Sequence, residues 1–498
     1  EVHVGTLFWA LACSAVSVEG TDEIARDTHA LSVTLAPEAD LGLTYEVYVR
    51  SFYDSDGDGI GDLAGVSAKL DYVEDLGVET LWLMPIFRAD SVAGYGVIDH
   101  ASIAPEYGTT DDLIRLVDAA HDRGMRVLLD LPFNHVSREH PWFVEAQNGV
   151  GRERFVFSAQ QYDTVRWFPA ESGGYYYGFF GPELPDLNWN NAEVVQSMVT
   201  MMRGWLSLGV DGFRLDAANT LIESSEGITN TDQTHALLAE LRAELSQTHP
   251  GSVLLAEAGE PALDANLAYL GGENQVEANY VLDFPRRAGL LGAVDEGNAT
   301  TLRTVLAFQG QRVHQQASFL GSHDVPRLAG TMDDPAARRA LMAAVFTLPG
   351  QPVLYYGDEL DLVDSAYATG QDYAWRAPMP WSNAPNAGFT TRVDAWMPPD
   401  PSFATGGNVA DQTSDEASML RWIQHLAELR LTSPALAQGR LVLIESAAGV
   451  LAFERTAGTE VLLIEINFRG EPAPGIGGEL PAYGCTIRTG TTVWAQCS

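Results

Sequence analysis

Three carboxylates stand directly after short apolar runs in this 498-residue chain. Asp216 closes Gly212-Phe-Arg214-Leu-Asp216, Glu257 follows Val253–Ala256, and Asp324 follows His323. A further run ends Asp130-Leu-Pro-Phe-Asn134-His135. An acid at the end of an apolar strand is costly unless it is solvated or paired, so one alone would mean little. Three, with Arg214 two residues before one of them, point to a carboxylate active site rather than to structural ion pairs. A second pattern is Asp54-Ser-Asp56-Gly-Asp58-Gly-Ile60-Gly-Asp62. Oxygen ligands at alternate positions on a Gly-rich loop are how a chain wraps a hard cation such as Ca2+. It is not an EF-hand, because no Glu stands at the twelfth position. The bland alternative is a solvated acidic turn in an acidic protein.

The acids need elements to aim them, and the hydrophobic pattern supplies those. Short apolar runs fall at Tyr45–Phe52, Thr80–Phe87, Val127–Phe133, Gly212–Ala217, Val253–Ala258, Tyr280–Phe284, Ser318–Gly321 and Pro352–Tyr356. Helical patterns such as Asp111–Arg123, Val194–Leu208 and His235–Gln247 separate several of them. Continuous apolar strands alternating with helices form a parallel sheet covered on both faces. Eight such units close most economically into a (β/α)8 TIM barrel of the α/β class, whose sites lie at the C-terminal strand ends. An open doubly wound sheet is the alternative.

The expected barrel takes residues 40–135 and 191–432. Residues 136–190 break the rhythm with a Gly- and aromatic-rich stretch, too long for an ordinary loop, and are expected to form an inserted domain. Its aromatics Trp167, Tyr175, Tyr176, Tyr177, Phe179 and Phe180 would either offer a stacking surface to a ligand or fill that domain's own core. Residues 433–498 change to short alternating strands with Gly/Pro turns, expected to form an antiparallel β-sandwich domain.

Composition narrows the partners. Asp plus Glu is 67 against 29 Lys plus Arg, a formal charge of −38. Such a surface repels phosphate backbones and anionic lipid, which argues against nucleic acid and favours a neutral or cationic ligand. Lys69 is the sole lysine, consistent either with a GC-rich coding sequence or with adaptation to high salt. Residues 1–20 contain the apolar stretch Val4–Val18, expected to be the h-region of an export signal. No later run is apolar and long enough for a transmembrane helix. Secretion, or a periplasmic or cell-surface lipoprotein anchored at Cys13, is therefore expected. Of three cysteines, Cys485 and Cys497 are spaced to close a small loop if the protein is exported.

With these residues in view the chain resembles the α-amylase family, glycoside hydrolase family 13. Its regions occur in order: DLPFNH at 130–135, LPDLN at 184–188, GFRLDAANT at 212–220, AEAG at 256–259, SHDVPR at 322–327 and GQPVLYYGDEL at 350–360. The resemblance lies between the α-amylases and the oligo-1,6-glucosidase and neopullulanase groups. It implies Asp216 as nucleophile, Glu257 as acid/base and Asp324 as transition-state stabiliser. It places Tyr95, His135, Arg214, His323 and Arg327 at the substrate. It also implies Ca2+ on Asp54, Asp56, Asp58, the Ile60 carbonyl and Asp62, and a second calcium site near Asn134. Arg214 is expected to hold Asp216 ionised, and Glu257 to be the acid with the raised pKa.

Departures from the family pattern bear on the substrate. Gly96 stands where oligo-1,6-glucosidases carry an Asp that grips the non-reducing end, which argues against strict exo action. Ala217 resembles α-1,4-acting members, whereas RAPMPW at 376–381 and NAGF at 386–389 resemble α-glucosidases and their transglycosylating relatives. The expectation is a monomeric, retaining, endo-acting α-amylase on α-glucan (starch and maltooligosaccharides), with some transglycosylation. The rivals are an α-glucosidase or cyclomaltodextrinase-like enzyme and an inactive carbohydrate-binding barrel.

Overall fold

A computed structural model describes residues 40–497 apart from 224–226, 260–261, 273–276 and 366–370. The expected export segment, with Cys13, lies outside the described residues. Eight parallel strands form a closed barrel: Thr44–Val47, Thr80–Leu83, Arg126–Leu131, Gly212–Leu215, Val253–Ala256, Tyr280–Leu282, Gln316–Ser318 and Gln351–Tyr355. Each pairs with its neighbours in chain order, and the last returns to the first through Thr44↔Val353. The open-sheet alternative is thereby excluded.

The helices form where the sequence caps them and supplies one apolar face. Thr109 and Asp112 make a capping box at the start of helix Thr110–His121, which buries Leu113, Leu116, Val117 and Ala120. Asn191 caps Ala192–Ser207, whose buried stripe is Val194, Met198, Val199, Met202, Trp205 and Leu206. Several strands are shorter than their apolar runs. In Tyr45–Phe52 the strand ends at Val47 and Val49–Phe52 is a helical turn. All four residues of that turn are buried: Val49 and Phe52 join the core, while Arg50 and Ser51 are paired with Glu106 and the Arg376 carbonyl, so burial continues after the sheet has ended.

Two features overlie the C-terminal strand ends. An antiparallel pair, Phe87–Ala89 with Val97–Ile103, follows the second strand; the sequence pattern had not indicated it. Within 136–190, helix Pro141–Gln147 precedes a three-stranded antiparallel sheet, with Tyr175–Tyr177 between Phe157–Ser158 and Trp167–Pro169. Tyr176, Tyr177 and Phe179 are buried, Tyr176 against Phe143 at 4.9 Å, whereas Trp167, Tyr175 and Phe180 stay partly open.

The C-terminal unit is a five-stranded antiparallel sheet, Arg440–Ile444, Val450–Ala457, Glu460–Asn467, Cys485–Thr489 and Thr492–Cys497. A two-stranded ribbon, Ala473–Gly475 with Gly478–Leu480, packs on it through Val450, Ala473 and Leu480. Cys485 and Cys497 face each other across the last pair and are disulfide-bonded, 4.9 Å between Cα atoms. The buried Arg455 ties this sheet to the barrel, donating to the carbonyls of Thr347, Leu436 and Gly439.

Candidate active site

Barrel register brings the acids together. In the third and fourth strands Asp130 is the Cα partner of Arg214, and in the fourth and fifth Leu215 partners Ala256. Asp216 and Glu257 are therefore the next residues on adjacent strands, and each backbone N–H still donates to a neighbouring strand, Asp216 to Leu131 and Glu257 to Leu215. Ala217 then turns the chain out of the sheet with φ 46°, a left-handed conformation that non-glycine residues adopt at a cost. Its N–H donates to Glu257 Oε2 at 3.1 Å, so the strained turn also aims the acid.

One guanidinium organises the site. The buried Arg214 donates through Nη1 to Asp130 Oδ1 at 2.6 Å and to Asp216 Oδ1 at 2.8 Å, and through Nη2 to Glu257 Oε2 at 2.5 Å. Asp130 is closed off from solvent and also accepts from Trp82 Nε1 and Tyr95 Oη, both at 3.1 Å. Burial pushes Asp216 well above the usual carboxylate range; Arg214 pulls it down, and repulsion from Glu257, Asp130 and Asp324 raises it again. Arg214 thus favours the ionised form of Asp216, as expected, but burial and the neighbouring carboxylates together outweigh its pull.

On the opposite wall, His323 Nε2 lies 2.9 Å from Asp324 Oδ2 and 2.5 Å from Tyr95 Oη, with the Tyr95 ring stacked on the imidazole at 5.3 Å. His323 Nδ1 is bonded to Glu46. Burial would discharge this histidine, but Asp324 and Glu46 outweigh it and lift its pKa to about 10. Burial would likewise raise Asp324, yet His323, Arg376 and Arg214 hold it well below the usual range. Arg376 Nη2 approaches Asp324 at 3.8 Å. Glu46, Trp82, Arg214, Glu257, His323 and Asp324 line one hollow at the mouth.

The remaining expected residues sort by position. Burial lowers the His135 pKa to about 4, and neither ring nitrogen meets a hydrogen-bond partner among the described residues, leaving a neutral imidazole beside Phe180. Arg327 lies behind the site. It donates to the carbonyls of Trp375 and Tyr356 and to Asp358, and it stacks on Tyr355 and Tyr356, so its charge supports the eighth strand rather than facing the hollow.

In the loop after the first strand, carboxylate oxygens of Asp54, Asp56 and Asp58 lie within 4.8 Å of one another, a spacing suited to a hard cation. The backbone hydrogen bond from Asp58 lowers Asp56, but burial and then repulsion from Asp58, Asp62 and Asp54 raise it overall. Asp62 is occupied otherwise: it caps helix Leu63–Ala68 through the Gly65 N–H and accepts from Ser55. A second group meets where residues 184–188 cross the third strand. Asn134 Oδ1, Asp186 Oδ2 and Glu223 Oε1 are buried without hydrogen-bond partners among the described residues. Burial, then Glu223, raises Asp186, and burial lifts Glu223 to about 7. Two buried carboxyl groups thus lie beside an amide, with their mutual repulsion not answered by a cation among the described residues.

Sequence reasoning passed over Glu46, Asp186, Glu223 and Arg376. The only signal for Glu46 was an acid inside an apolar strand. Asp186 lay in a recognised motif without an assigned role.

A closed barrel carrying clustered acids around a buried arginine at its C-terminal mouth defines a carbohydrate-active barrel enzyme. Comparison with known proteins places it further. The profile of the α-amylase catalytic domain matches residues 46–439, and the chain belongs to the α-amylase family, as a glycoside hydrolase or transglycosylase. It is 34% identical over 456 residues, 79% of this chain and 76% of the relative, to the trehalose synthase/amylase TreS of Mycolicibacterium smegmatis. Among solved structures, the α-glucosyl transfer enzyme XgtA superposes with a TM-score of 0.80 at 29% identity, covering 88% of this chain and 92% of that one. The α-amylase from H. orenii gives 0.79 at 29% identity, covering 90% and 99%.

Proposed function

We propose that this chain cleaves internal α-1,4-glucosidic bonds of maltooligosaccharides and starch with retention, by double displacement. The observation that carries the reading is the attachment of Asp216 and Glu257 to one guanidinium at neighbouring strand ends. Retention needs two carboxyl groups only ~5–5.5 Å apart, and a shared arginine favours such closeness. Asp216 attacks C1 while Glu257 gives its proton to the glycosidic oxygen, releasing the leaving sugar and forming a glycosyl ester on Asp216. Glu257 then takes a proton from water, whose oxygen attacks C1 and frees Asp216. Asp216 enters this step as the carboxylate, the form that Arg214 favours, and Glu257 carries the one proton transferred. Asp324, kept anionic by His323 and Arg376, stabilises the same charge. Neutral His135, with unpartnered ring nitrogens, receives a ring hydroxyl.

Gly96, in place of a clamping acid, supports internal cleavage. Glucosyl transfer is the second reading, in which a sugar hydroxyl replaces water. It is supported by the similarity to TreS and XgtA. Calcium would be held by Asp54, Asp56 and Asp58, and by Asn134, Asp186 and Glu223, where its charge would offset carboxylate repulsion. Export is supported by the Cys485–Cys497 bridge, since disulfides persist in oxidising compartments.

NMR of the first products from maltoheptaose should show the α-anomer, and early digests of starch should contain mixed oligosaccharides. Glucose alone from the first minutes overturns endo action; trehalose or longer sugars formed from maltose establish transfer. Glu257→Gln should lose more than ~10^3 in kcat, within the range of acid–base catalysis, with the fold retained. Unchanged activity in that variant would leave only a binding role.

A further inference from the structure

Glu46 has no role in the chemistry above, yet it is among the most deeply buried acids of the molecule. It is the third residue of the first barrel strand, between the apolar Tyr45 and Val47. A carboxylate at such a place is expensive unless a charge answers it. The answer comes from 277 residues away: Oε1 meets His323 Nδ1, while Oε2 has no partner among the described residues. The barrel makes this contact possible, because the first strand lies between the second and the eighth.

His323 is gripped on every side. Tyr95 stacks on its face, the Trp82 indole stands edge-on at 6.2 Å and 87°, and Arg376 Nη2 lies 3.5 Å from its carbonyl oxygen. Its Nε2 points at Asp324 and Tyr95, and Tyr95 passes the contact on to Asp130 and so to Arg214. A chain of polar contacts thus runs from Glu46 to the pair Asp216 and Glu257.

The hydrogen that Nε2 carries matters to both ends. With it, the ring donates its one Nε2 hydrogen toward Asp324 and Tyr95. Without it, a lone pair faces the Asp324 carboxylate and the contact turns repulsive. A neutral imidazole whose Nδ1 keeps its hydrogen for an acceptor has none on Nε2. A negative charge at Nδ1 allows the ring to keep both.

We propose that Glu46 is a positioning residue of the catalytic site, holding the His323 ring so that Nε2 remains a donor aimed at Asp324 and at substrate. The groups facing the ring are Glu46 from the first strand, Trp82 from the second, Tyr95 from the following loop, Asp324 from its own segment and Arg376 from the segment after the eighth strand. Among the described residues, Glu46 and Asp324 are the anions in contact with the ring nitrogens. Their pull accounts for the high His323 pKa of about 10 despite burial. The inference rests on Asp324 and His323 facing the substrate, as in the reading above.

The test is Glu46→Gln, which preserves shape and an acceptor for Nδ1–H but removes the charge, with Glu46→Asp as the charge-retaining companion. kcat and KM on a chromogenic maltooligosaccharide are measured from pH 5 to 9, and folding is monitored by thermal melting. The expected result is an alkaline limb of kcat moved acidward by at least one pH unit in Glu46→Gln, with roughly tenfold lower kcat at pH 8 and recovery toward pH 5.5. Glu46→Asp should keep the wild-type profile shape. A folded Glu46→Gln with the wild-type profile, or with a loss equal at every pH, overturns the proposal. If Glu46→Gln does not fold, histidine NMR of the wild type decides: a doubly protonated His323 at pH 8 supports the proposal and a neutral ring overturns it. Asp324→Asn separates the two readings, since full activity there would refute the site itself rather than the role of Glu46.

Discussion

Replacing Arg214 tests the energetic logic of the whole site. It is buried and donates to three carboxylates, at 2.6 Å to Asp130, 2.8 Å to Asp216 and 2.5 Å to Glu257. A hydrogen bond to a charged group contributes about 1.5–3 kcal/mol, but the larger effect is what its removal leaves behind. Breaking a buried ion pair by deleting one partner costs about 3–5 kcal/mol. Asp130 has no access to water, whereas the side chains of Asp216 and Glu257 are 10% and 15% exposed and regain some hydration. Arg214→Gln should therefore lose about 3–5 kcal/mol rather than the sum of three bonds. The two reacting acids also lose their common anchor; if that removes about 3 kcal/mol of transition-state stabilisation, kcat falls by roughly two powers of ten. Arg214→Lys keeps the charge without the fork and should lie between. The sign of the pH effect follows from the carboxylates. Asp216, already raised by burial, rises further without the cation, so the native state binds more protons and stability rises as pH falls. Urea midpoints of Arg214→Gln should therefore approach wild type on going from pH 7.5 to 5.5. A midpoint equal to wild type at pH 7.5, together with kcat within threefold, would show that the arginine neither supports the acids nor aims them.

Three further outcomes are expected. The His323–Asp324 pair contributes stability only where both are charged: the depressed Asp324 part is lost as pH falls below the ordinary carboxylate range, and the His323 part is complete below about 6.5 and fades toward about 10. In Asp324→Asn the melting temperature should accordingly depend less on pH between 7 and 9.5; equal pH dependence would refute this. Chelation should lower Tm, and Ca2+ should restore it. Asp54→Asn and Glu223→Gln would each remove part of that response, and a Tm indifferent to chelator would identify both groups as self-satisfied turns. A Cβ at Gly96 would lie 2.1 Å from Asp90 Oδ1, so Gly96→Asp must displace Asp90 from its bond to Ser137. It should destabilise by about 1–3 kcal/mol without creating exo action; a shift to glucose as sole product with unchanged stability would contradict that.

Much of the architecture is local information and was legible in the chain. Apolar runs bounded by capped helices define eight βα units, and the Asp216 and Glu257 motifs fall where those runs end, because the same residues that pair in the sheet must stop before the acids. Strand ends were read too long wherever the chain left the sheet yet stayed buried, as at Val49–Phe52. Periodicity reports burial, and burial does not distinguish a strand from the turn packed beneath the mouth. Tertiary structure alone decided which side chains meet. Closing the barrel set the first strand beside the eighth and gave Glu46 its histidine; it turned Arg327 behind the wall, although it stands three residues after Asp324. It brought Asp186 and Glu223 to Asn134 from two separate stretches. Residue type and spacing encode what a segment buries, whereas charge partners hundreds of residues apart are chosen by strand order and register, which no window of sequence contains.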